Sequence, residues 1–231
     1  MTQLDTQGWF VTGTDTGVGK TLVACALVRG LRQRGLPVGV LKPVETGVGP
    51  AGPRDALALR EAARDPRPLE KICPQHFQLP AAPPVAAAAE GRRVDLAQIH
   101  AAFAALRAAY PWRVVEGAGG VRVPVALDTS MADLAAAWKL PVLVVARAAL
   151  GTWNHTRLTL DCLERAGLAL AGVVISHSGG PLSQADALNL EALRSELGDR
   201  LVGEIRPLAA GCEPEPGMLE LDRLLARTRR L

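Results

Sequence analysis

The sequence has no long apolar run and no paired cysteines. The longest run, residues 141–146, stops at Arg147 and is far shorter than the ~20 residues of a membrane-spanning helix. Residues 1–5 lack the basic segment and apolar stretch of a secretory signal. The four cysteines are widely spaced, as expected of reduced thiols and not of a disulfide framework or a zinc site. These absences predict a cytoplasmic protein with no membrane partner.

An excess of one charge is also missing, and lysine is rare. The 26 basic residues nearly balance the 23 acidic ones, and the net charge of +3 is too small to predict a nucleic-acid partner. Only four of the basic residues are lysine. Two of these, Lys20 and Lys42, lie in motifs, which indicates that a compact ammonium group is needed there.

What the sequence does contain is an alternation of apolar runs and helical patterns. Continuous runs of Val, Ile and Leu are typical of strands buried on both faces of a parallel sheet. They predict strands at 9–12, 38–42, 114–116, 141–146, 169–175 and 201–205. Helical patterns cover 21–34, 95–110 and 186–197, and a capping box begins a further helix at Ser130. We therefore predict an α/β fold with a doubly wound, mainly parallel sheet and helices on both faces. The Ala/Pro-rich residues 80–89 predict a surface connection inside a single domain spanning 1–231.

A phosphate-binding loop follows the first predicted strand. Residues 13–21 read Gly-Thr-Asp-Thr-Gly-Val-Gly-Lys-Thr. Glycines let backbone N–H groups turn towards phosphates, Lys20 reaches the β- and γ-phosphates, and the Thr21 hydroxyl meets Mg²⁺. The loop is a variant P-loop, because Thr14 stands where the strict pattern has glycine. It predicts a P-loop NTPase-like fold.

Two further motifs end predicted strands, where ligands of such sheets bind. Lys42 begins Lys-Pro-Val-Glu-Thr-Gly, and its ammonium group either neutralises phosphate or merely reaches solvent at the strand end. Glu116 lies in Val-Val-Glu-Gly-Ala-Gly-Gly, at a position where P-loop proteins hold Mg²⁺. An unpaired buried carboxylate is costly, so Glu116 indicates a cation partner. For Asp55 the local sequence favours a helix N-cap.

Five motifs together resemble the dethiobiotin synthetase family. They are the P-loop, the Lys42 motif, Asp-Ala-Leu-Ala-Leu from Asp55, the Glu116 motif, and Leu-Gly-Thr-Trp-Asn-His from Leu150. The resemblance implies ATP- and Mg²⁺-dependent carboxylation and ring closure of 7,8-diaminopelargonic acid with CO₂, which gives dethiobiotin, ADP and phosphate in biotin biosynthesis. It also implies a homodimer.

The resemblance implies roles for individual residues. Lys20 and Lys42 would be catalytic. Nucleotide contacts would come from Thr16, Gly17, Val18, Gly19, Lys20, Thr21, Glu116, Ser176 and Pro207. Substrate contacts would come from Thr16, Lys42, Thr46, Gly119, Gly120 and, across the dimer interface, Asn154. Mg²⁺ would lie among Thr21, Asp55 and Glu116, which would replace the N-cap interpretation of Asp55.

The sequence departs from the family pattern where the base is read. Ser176 stands in place of the asparagine that reads the adenine edge, and Arg206 enters the flanking loop before Pro207. A serine hydroxyl has one donor hydrogen, whereas an amide offers a donor and an acceptor. The sequence therefore predicts looser base selection, with NTPs other than ATP as possible co-substrates.

Two other P-loop classes are alternatives for this sequence. A partition-type ATPase switch carries a signature lysine where this chain has Asp15. A cobyrinic-acid-type amidotransferase carries a fused glutaminase domain, for which 231 residues leave no space. A GTPase is excluded because the Asn-Lys-x-Asp guanine motif is absent from the sequence.

Overall fold

A computed structural model describes residues 7–178, 181–208, 212 and 214–228. Residues 1–5, where no secretory signal was expected, lie outside this part. Within the described residues the chain forms ten strands: β1 (Gly8–Gly13), β2 (Val38–Leu41), β3 (Val44–Thr46), β4 (Gln75–Phe77), β5 (Trp112–Gly120), β6 (Pro124–Ala126), β7 (Thr129–Ser130), β8 (Val142–Arg147), β9 (Leu170–Ser176) and β10 (Leu201–Ile205).

Six of these strands form one sheet in the order β10-β9-β8-β1-β5-β2, and every neighbouring pair is parallel. The predicted α/β fold and its six strands are thus confirmed. The bounds differ most in β5, which was expected to end at Glu116 and continues to Gly120. It continues because the glycine segment still pairs with β1, where Gly13 lies opposite Gly120 after a register shift.

The α-helices of the described residues are α1 (Lys20–Gln33), α2 (Arg54–Ala63), α3 (Leu69–Ile72), α4 (Pro83–Ala89), α5 (Leu96–Ala109), α6 (Met131–Ala137), α7 (Thr152–Arg165), α8 (Gln184–Leu197) and α9 (Leu221–Thr228). The predicted helices correspond to α1, α5 and α8, and the capping box at Ser130 begins α6. The prediction of a surface connection at 80–89 is wrong in part. Seven of these residues form α4, and three of their side chains are buried.

The sheet is covered on both faces, as a doubly wound fold requires. Trp9 and Val11 of β1 face one apolar cluster, which includes residues of α1, α2 and α9. Phe10 faces the other, which includes residues of α5, α6 and α8. Alternate residues of a strand point to opposite faces of the sheet. A strand that is covered on both faces therefore buries all of its side chains, and this is why its sequence is apolar throughout. None of the described helices is long and apolar enough to span a membrane.

An ion pair covers the edge of the sheet at β2, where Asp65 is buried and Arg67 is partly buried. Arg67 contacts both carboxylate oxygens of Asp65, and its Nη2 donates to the carbonyl of Val40 at 2.6 Å. The Tyr110 hydroxyl donates to Asp65 at 3.0 Å. Burial alone would raise the pKa of Asp65, but the hydrogen bonds from Arg67 and Tyr110 outweigh it and hold the pKa below its usual value. The network therefore protects an edge strand that would otherwise offer a free carbonyl.

We expect Asp65→Asn to lower the free energy of unfolding by about 2 kcal/mol at pH 7, because a partly buried arginine loses its charged partner. A carboxylate with a lowered pKa stabilises the fold above its unfolded pKa, and this stabilisation is lost as pH falls through the native pKa. The difference between the two proteins should therefore shrink below about pH 4. Urea unfolding at several pH values measures this difference in the free energy of unfolding.

Asp222→Asn, which removes an exposed partner of Arg34, is the control and should change stability by less than about 0.5 kcal/mol. An equal loss in both variants, or one independent of pH, would contradict this account.

Candidate active site

The P-loop connects β1, near the middle of the sheet, to α1. Gly19 precedes α1 with a left-handed backbone, φ +93°. A Cβ atom there would come within 2.4 Å of Ser176 Oγ, at the end of β9. Glycine is required at this position both for the backbone conformation and for the close approach of β9. The loop thus lies directly on the carboxyl end of the sheet.

Lys20 is the first residue of α1, and its side chain folds back over the loop. Its Nζ donates to the carbonyl of Asp15 at 3.2 Å. Burial, followed by the positive charge of Lys42, lowers the pKa of Lys20 to about 8, although Glu116 and Asp55 oppose the shift. The nearest acceptor is a neutral carbonyl and not a carboxylate. A phosphate would therefore offer this ammonium group a stronger partner than it has in the loop.

Lys42 lies between two carboxylates. Its Nζ is 2.6 Å from Glu116 Oε1 and 2.7 Å from Asp55 Oδ2. Burial alone would lower the pKa of Lys42, but the two carboxylates outweigh it and raise the pKa above its usual value. Lys42 is therefore a charged residue of the site, and the alternative of a lysine reaching solvent is wrong, because the side chain is 3% exposed.

Asp55 lies in the first turn of α2 and does not cap it. Pro53 is the N-cap residue, and the two oxygens of Glu45, on β3, each accept a backbone N–H of α2 at 3.0 Å, one from Asp55 and one from Ala56. The N-cap interpretation of Asp55 is therefore wrong. Glu45, ten residues before Asp55 in the chain, caps α2 instead. The Asp55 carboxylate is therefore available to bind Lys42. Sequence reasoning missed Glu45, which carries no local helix-capping signal.

The oxygens around Thr21 and Glu116 fit a magnesium ion. Thr21 Oγ1 donates to Glu116 Oε1 at 3.0 Å. The other carboxylate oxygen, Oε2, is buried and has no hydrogen-bond partner within the described part of the chain. A hydroxyl and two carboxylates are the hard oxygen ligands that Mg²⁺ prefers. A cation bound beside Glu116 would give this buried carboxylate oxygen the partner that it lacks.

Most of the residues singled out in the sequence line one cleft of about 350 Å³. The predicted site residues that line it are Thr16, Gly17, Gly19, Lys20, Thr21, Lys42, Thr46, Asp55, Glu116 and Gly119. Leu22, Ala118 and Ser178 also line it and were missed. Ser178 gave no signal because it lies beyond the predicted strand, and its Oγ donates to the carbonyl of Gly17 at 3.2 Å.

A second cavity of about 330 Å³ adjoins this cleft, and its lining residues are uncharged. Both cavities share Thr16, Thr46, Ala118 and Gly119. The remaining wall is formed by Val123 and by residues 80–83, where α4 begins. Residues 80–83 were missed because an Ala/Pro-rich stretch resembles an ordinary connection between secondary-structure elements. The pair of cavities offers a charged end for phosphates and an uncharged end for a hydrocarbon chain.

The other predicted site residues lie outside the cleft. The side chain of Val18 is in the apolar core, and Gly120 lies at the end of β5. Ser176 is fully buried, and its Oγ, which faces Gly19, has no partner in the described part of the chain. Pro207 is exposed beyond β10. Asn154 is exposed in the first turn of α7.

Comparison with known proteins identifies the family. Residues 7–214 match the family model described as "AAA domain". The chain is 57% identical over 173 residues to the ATP-dependent dethiobiotin synthetase BioD of Anaeromyxobacter dehalogenans, covering 75% of this chain and 78% of that one. The synthetase of Aromatoleum aromaticum is 40% identical over 212 residues, covering 90% and 93%.

Solved structures share the fold at low identity. The MinC:MinD cell division complex of Aquifex aeolicus has a TM-score of 0.52 at 15% identity, covering 97% of this chain and 95% of that one. A ParA family ATPase from Chlorobium tepidum has a TM-score of 0.53 at 12% identity, covering 97% and 99%. These likenesses show the fold alone. The sequence relatives are more specific, and they show that the chain belongs to the dethiobiotin synthetase family.

Proposed function

We propose that the protein is a dethiobiotin synthetase that carboxylates 7,8-diaminopelargonic acid with CO₂ and closes the ring at the expense of ATP. The observation that carries this proposal is the cleft itself. Two lysines, two carboxylates and the P-loop line one cavity, and a second cavity with uncharged lining residues adjoins it. The family to which the chain belongs supports the same reaction.

The reaction needs no protein nucleophile. One substrate amine adds to CO₂ and loses a proton, which gives a carbamate. A carbamate oxygen attacks the γ-phosphorus of ATP, the bond from that phosphorus to the bridging oxygen breaks, and ADP leaves. The second amine then attacks the carbamoyl carbon, phosphate leaves, and a cyclic urea remains. Positioning and neutralisation of negative charge account for catalysis of this kind.

The residues of the cleft are suited to these tasks. Lys20 would neutralise the transferring phosphoryl group, and Lys42 would face the carbamate, with hydroxyl contacts from Thr16 and Thr46. Such preorganised charges act strongly in a site that excludes water. Gly119, which lines both cavities, and the neighbouring Gly120 would leave space for the substrate beside backbone N–H groups.

Magnesium would be held by Thr21, Asp55 and Glu116, the oxygens whose arrangement fits it. When bound, Mg²⁺ supplies positive charge that neutralises the phosphates. Lys42 contacts both of these carboxylates, so its ammonium group would share their negative charge with a bound metal ion.

A homodimer would bring a second protomer's Asn154 to the substrate carboxylate. Asn154 is exposed and lines neither cavity of its own protomer. It lies at the start of α7, where Gly151 provides no side-chain cap and the buried hydroxyl of Thr152 lacks a partner among the described residues. A helix N-terminus of this kind favours an anion. Leu150 and Leu158 are 73% and 59% exposed beside it, which supports burial against another protomer.

The proposal extends to a cytoplasmic enzyme built as one domain over 1–231. Its test is incubation with diaminopelargonate, bicarbonate, Mg²⁺ and ATP, following the cyclic urea product by mass. Formation of dethiobiotin with one ADP per ring is expected. Hydrolysis of ATP without the urea product would contradict the proposal and favour the partition-type switch, which Asp15 in the signature-lysine position argues against.

We further expect base selection to be loose. Ser176 Oγ is buried beneath the P-loop, and the side chains that line the cleft in the described part of the chain include no amide. A site discriminates strongly only when the wrong ligand leaves its buried polar groups unpaired. At least one of CTP, GTP and UTP should therefore support turnover within about a thousandfold of ATP in kcat/KM, or ~4 kcal/mol. A larger preference for ATP over all three would contradict this prediction and leave the synthetase proposal intact.

A further inference from the structure

Three consecutive carbonyl groups of the P-loop each accept a hydrogen bond from a side chain. Lys20 Nζ donates to Asp15 at 3.2 Å, Arg147 Nη2 donates to Thr16 at 2.9 Å, and Ser178 Oγ donates to Gly17 at 3.2 Å. The loop is thus held at three adjacent peptide groups.

The three donors are not equivalent. Lys20 begins α1 directly after the loop and reaches the phosphates in P-loop proteins, which would remove its bond to Asp15. Arg147 ends β8 and Ser178 follows β9, so both donors are anchored on the sheet. They are the two bonds that remain when Lys20 turns to a phosphate.

Holding a carbonyl also orients the next N–H group. In a trans peptide the C=O of one residue and the N–H of the next point in opposite directions. The bond from Arg147 to Thr16 therefore sets the direction of the Gly17 N–H, and the bond from Ser178 to Gly17 sets that of Val18. Gly17 has φ +70° and, as a glycine, has wide conformational freedom that an external contact must restrict.

We propose that Arg147, assisted by Ser178, is a positioning residue that keeps the P-loop amides directed towards the phosphates before the nucleotide arrives. This inference rests on the proposed function, because it deepens the assignment of the loop to ATP. The nearby carboxylate of Asp15, 3.6 Å from Arg147 and 58% exposed, contributes little by comparison, since exposed ion pairs stabilise weakly.

The test compares Arg147→Ala, Arg147→Lys and Ser178→Ala with Arg34→Ala. Arg34 is a matched control, because its side chain is 38% exposed against 36% for Arg147 and also pairs with an aspartate.

Binding of MgATP is measured by calorimetry without diaminopelargonate, and amide hydrogen exchange of residues 14–19 is followed without nucleotide. We expect Arg147→Ala to weaken MgATP binding about tenfold and Ser178→Ala about threefold. Both should speed exchange in the loop, and kcat at saturating ATP should change less than KM.

A lysine at position 147 still carries a donor, so Arg147→Lys should recover part of the affinity. MgATP affinity within twofold of the wild type in both Arg147→Ala and Ser178→Ala, with unchanged loop exchange, would overturn the proposal. An equal loss in Arg34→Ala would also overturn it, because a general effect of charge would then explain the result. These measurements require no ring formation, so they stand even where the synthetase assay fails. Failure of the wild-type protein to bind MgATP would overturn both.

Discussion

Replacement of Lys20 by alanine is expected to lower kcat by about a thousandfold or more. The ammonium group lies at the start of α1 and lines the cleft, and among the described residues its hydrogen bond is to a neutral carbonyl. Its loss removes the positive charge that would neutralise the transferring phosphoryl group. The rate of dethiobiotin formation at saturating ATP and Mg²⁺ measures the effect.

Lys71→Ala is the matched control for this variant. Lys71 is exposed on α3 and lines neither cavity, so its removal should leave the rate unchanged. The Lys20→Ala protein should remain as stable as the wild type, because burial disfavours the charged form and lowers the pKa of Lys20 to about 8. A near-normal rate in Lys20→Ala would show that the P-loop assignment is wrong.

Removal of either carboxylate beside Lys42 is expected to raise the Mg²⁺ concentration for half-maximal rate by about tenfold or more. Asp55→Asn is the cleaner of the two variants. Glu45 caps α2 and Asp55 does not, so the helix should keep its N-terminal bonds when Asp55 becomes asparagine. Glu116→Gln removes a fully buried partner of Lys42 and should also lower stability. A magnesium titration of the rate, together with urea unfolding, measures both effects.

Glu61→Gln, at an exposed position on α2 outside the cleft, is the control for the magnesium titrations. Its magnesium dependence should match that of the wild type. A purely structural Asp55 or Glu116 would reduce stability and leave the magnesium dependence unaltered. That outcome in both variants would contradict the proposed metal site.

The strands and the P-loop could be predicted because their signals lie within short stretches of chain. A run such as residues 141–146 is apolar throughout because the strand is buried on both faces, and that pattern is visible without any partner. The α4 segment was missed because Pro83 at its start and a run of alanines are also usual in connections. Its buried face exists only once β3 and β6 lie beside it.

Patterns in the sequence are enough to predict the α/β class, the order of the six central strands along the chain, the phosphate loop and the charged residues beside it. These features depend on neighbours in the chain and on motifs of fixed spacing. Four features become visible only in the folded chain: Lys42 lies between Asp55 and Glu116, Glu45 caps α2, Ser176 is buried under Gly19, and Arg147 binds a carbonyl of the P-loop. Each of these is a contact of a few ångströms between residues on different elements. Such contacts are set by the strand order of the sheet and the packing on its faces, which bring together parts of the chain that local sequence cannot relate.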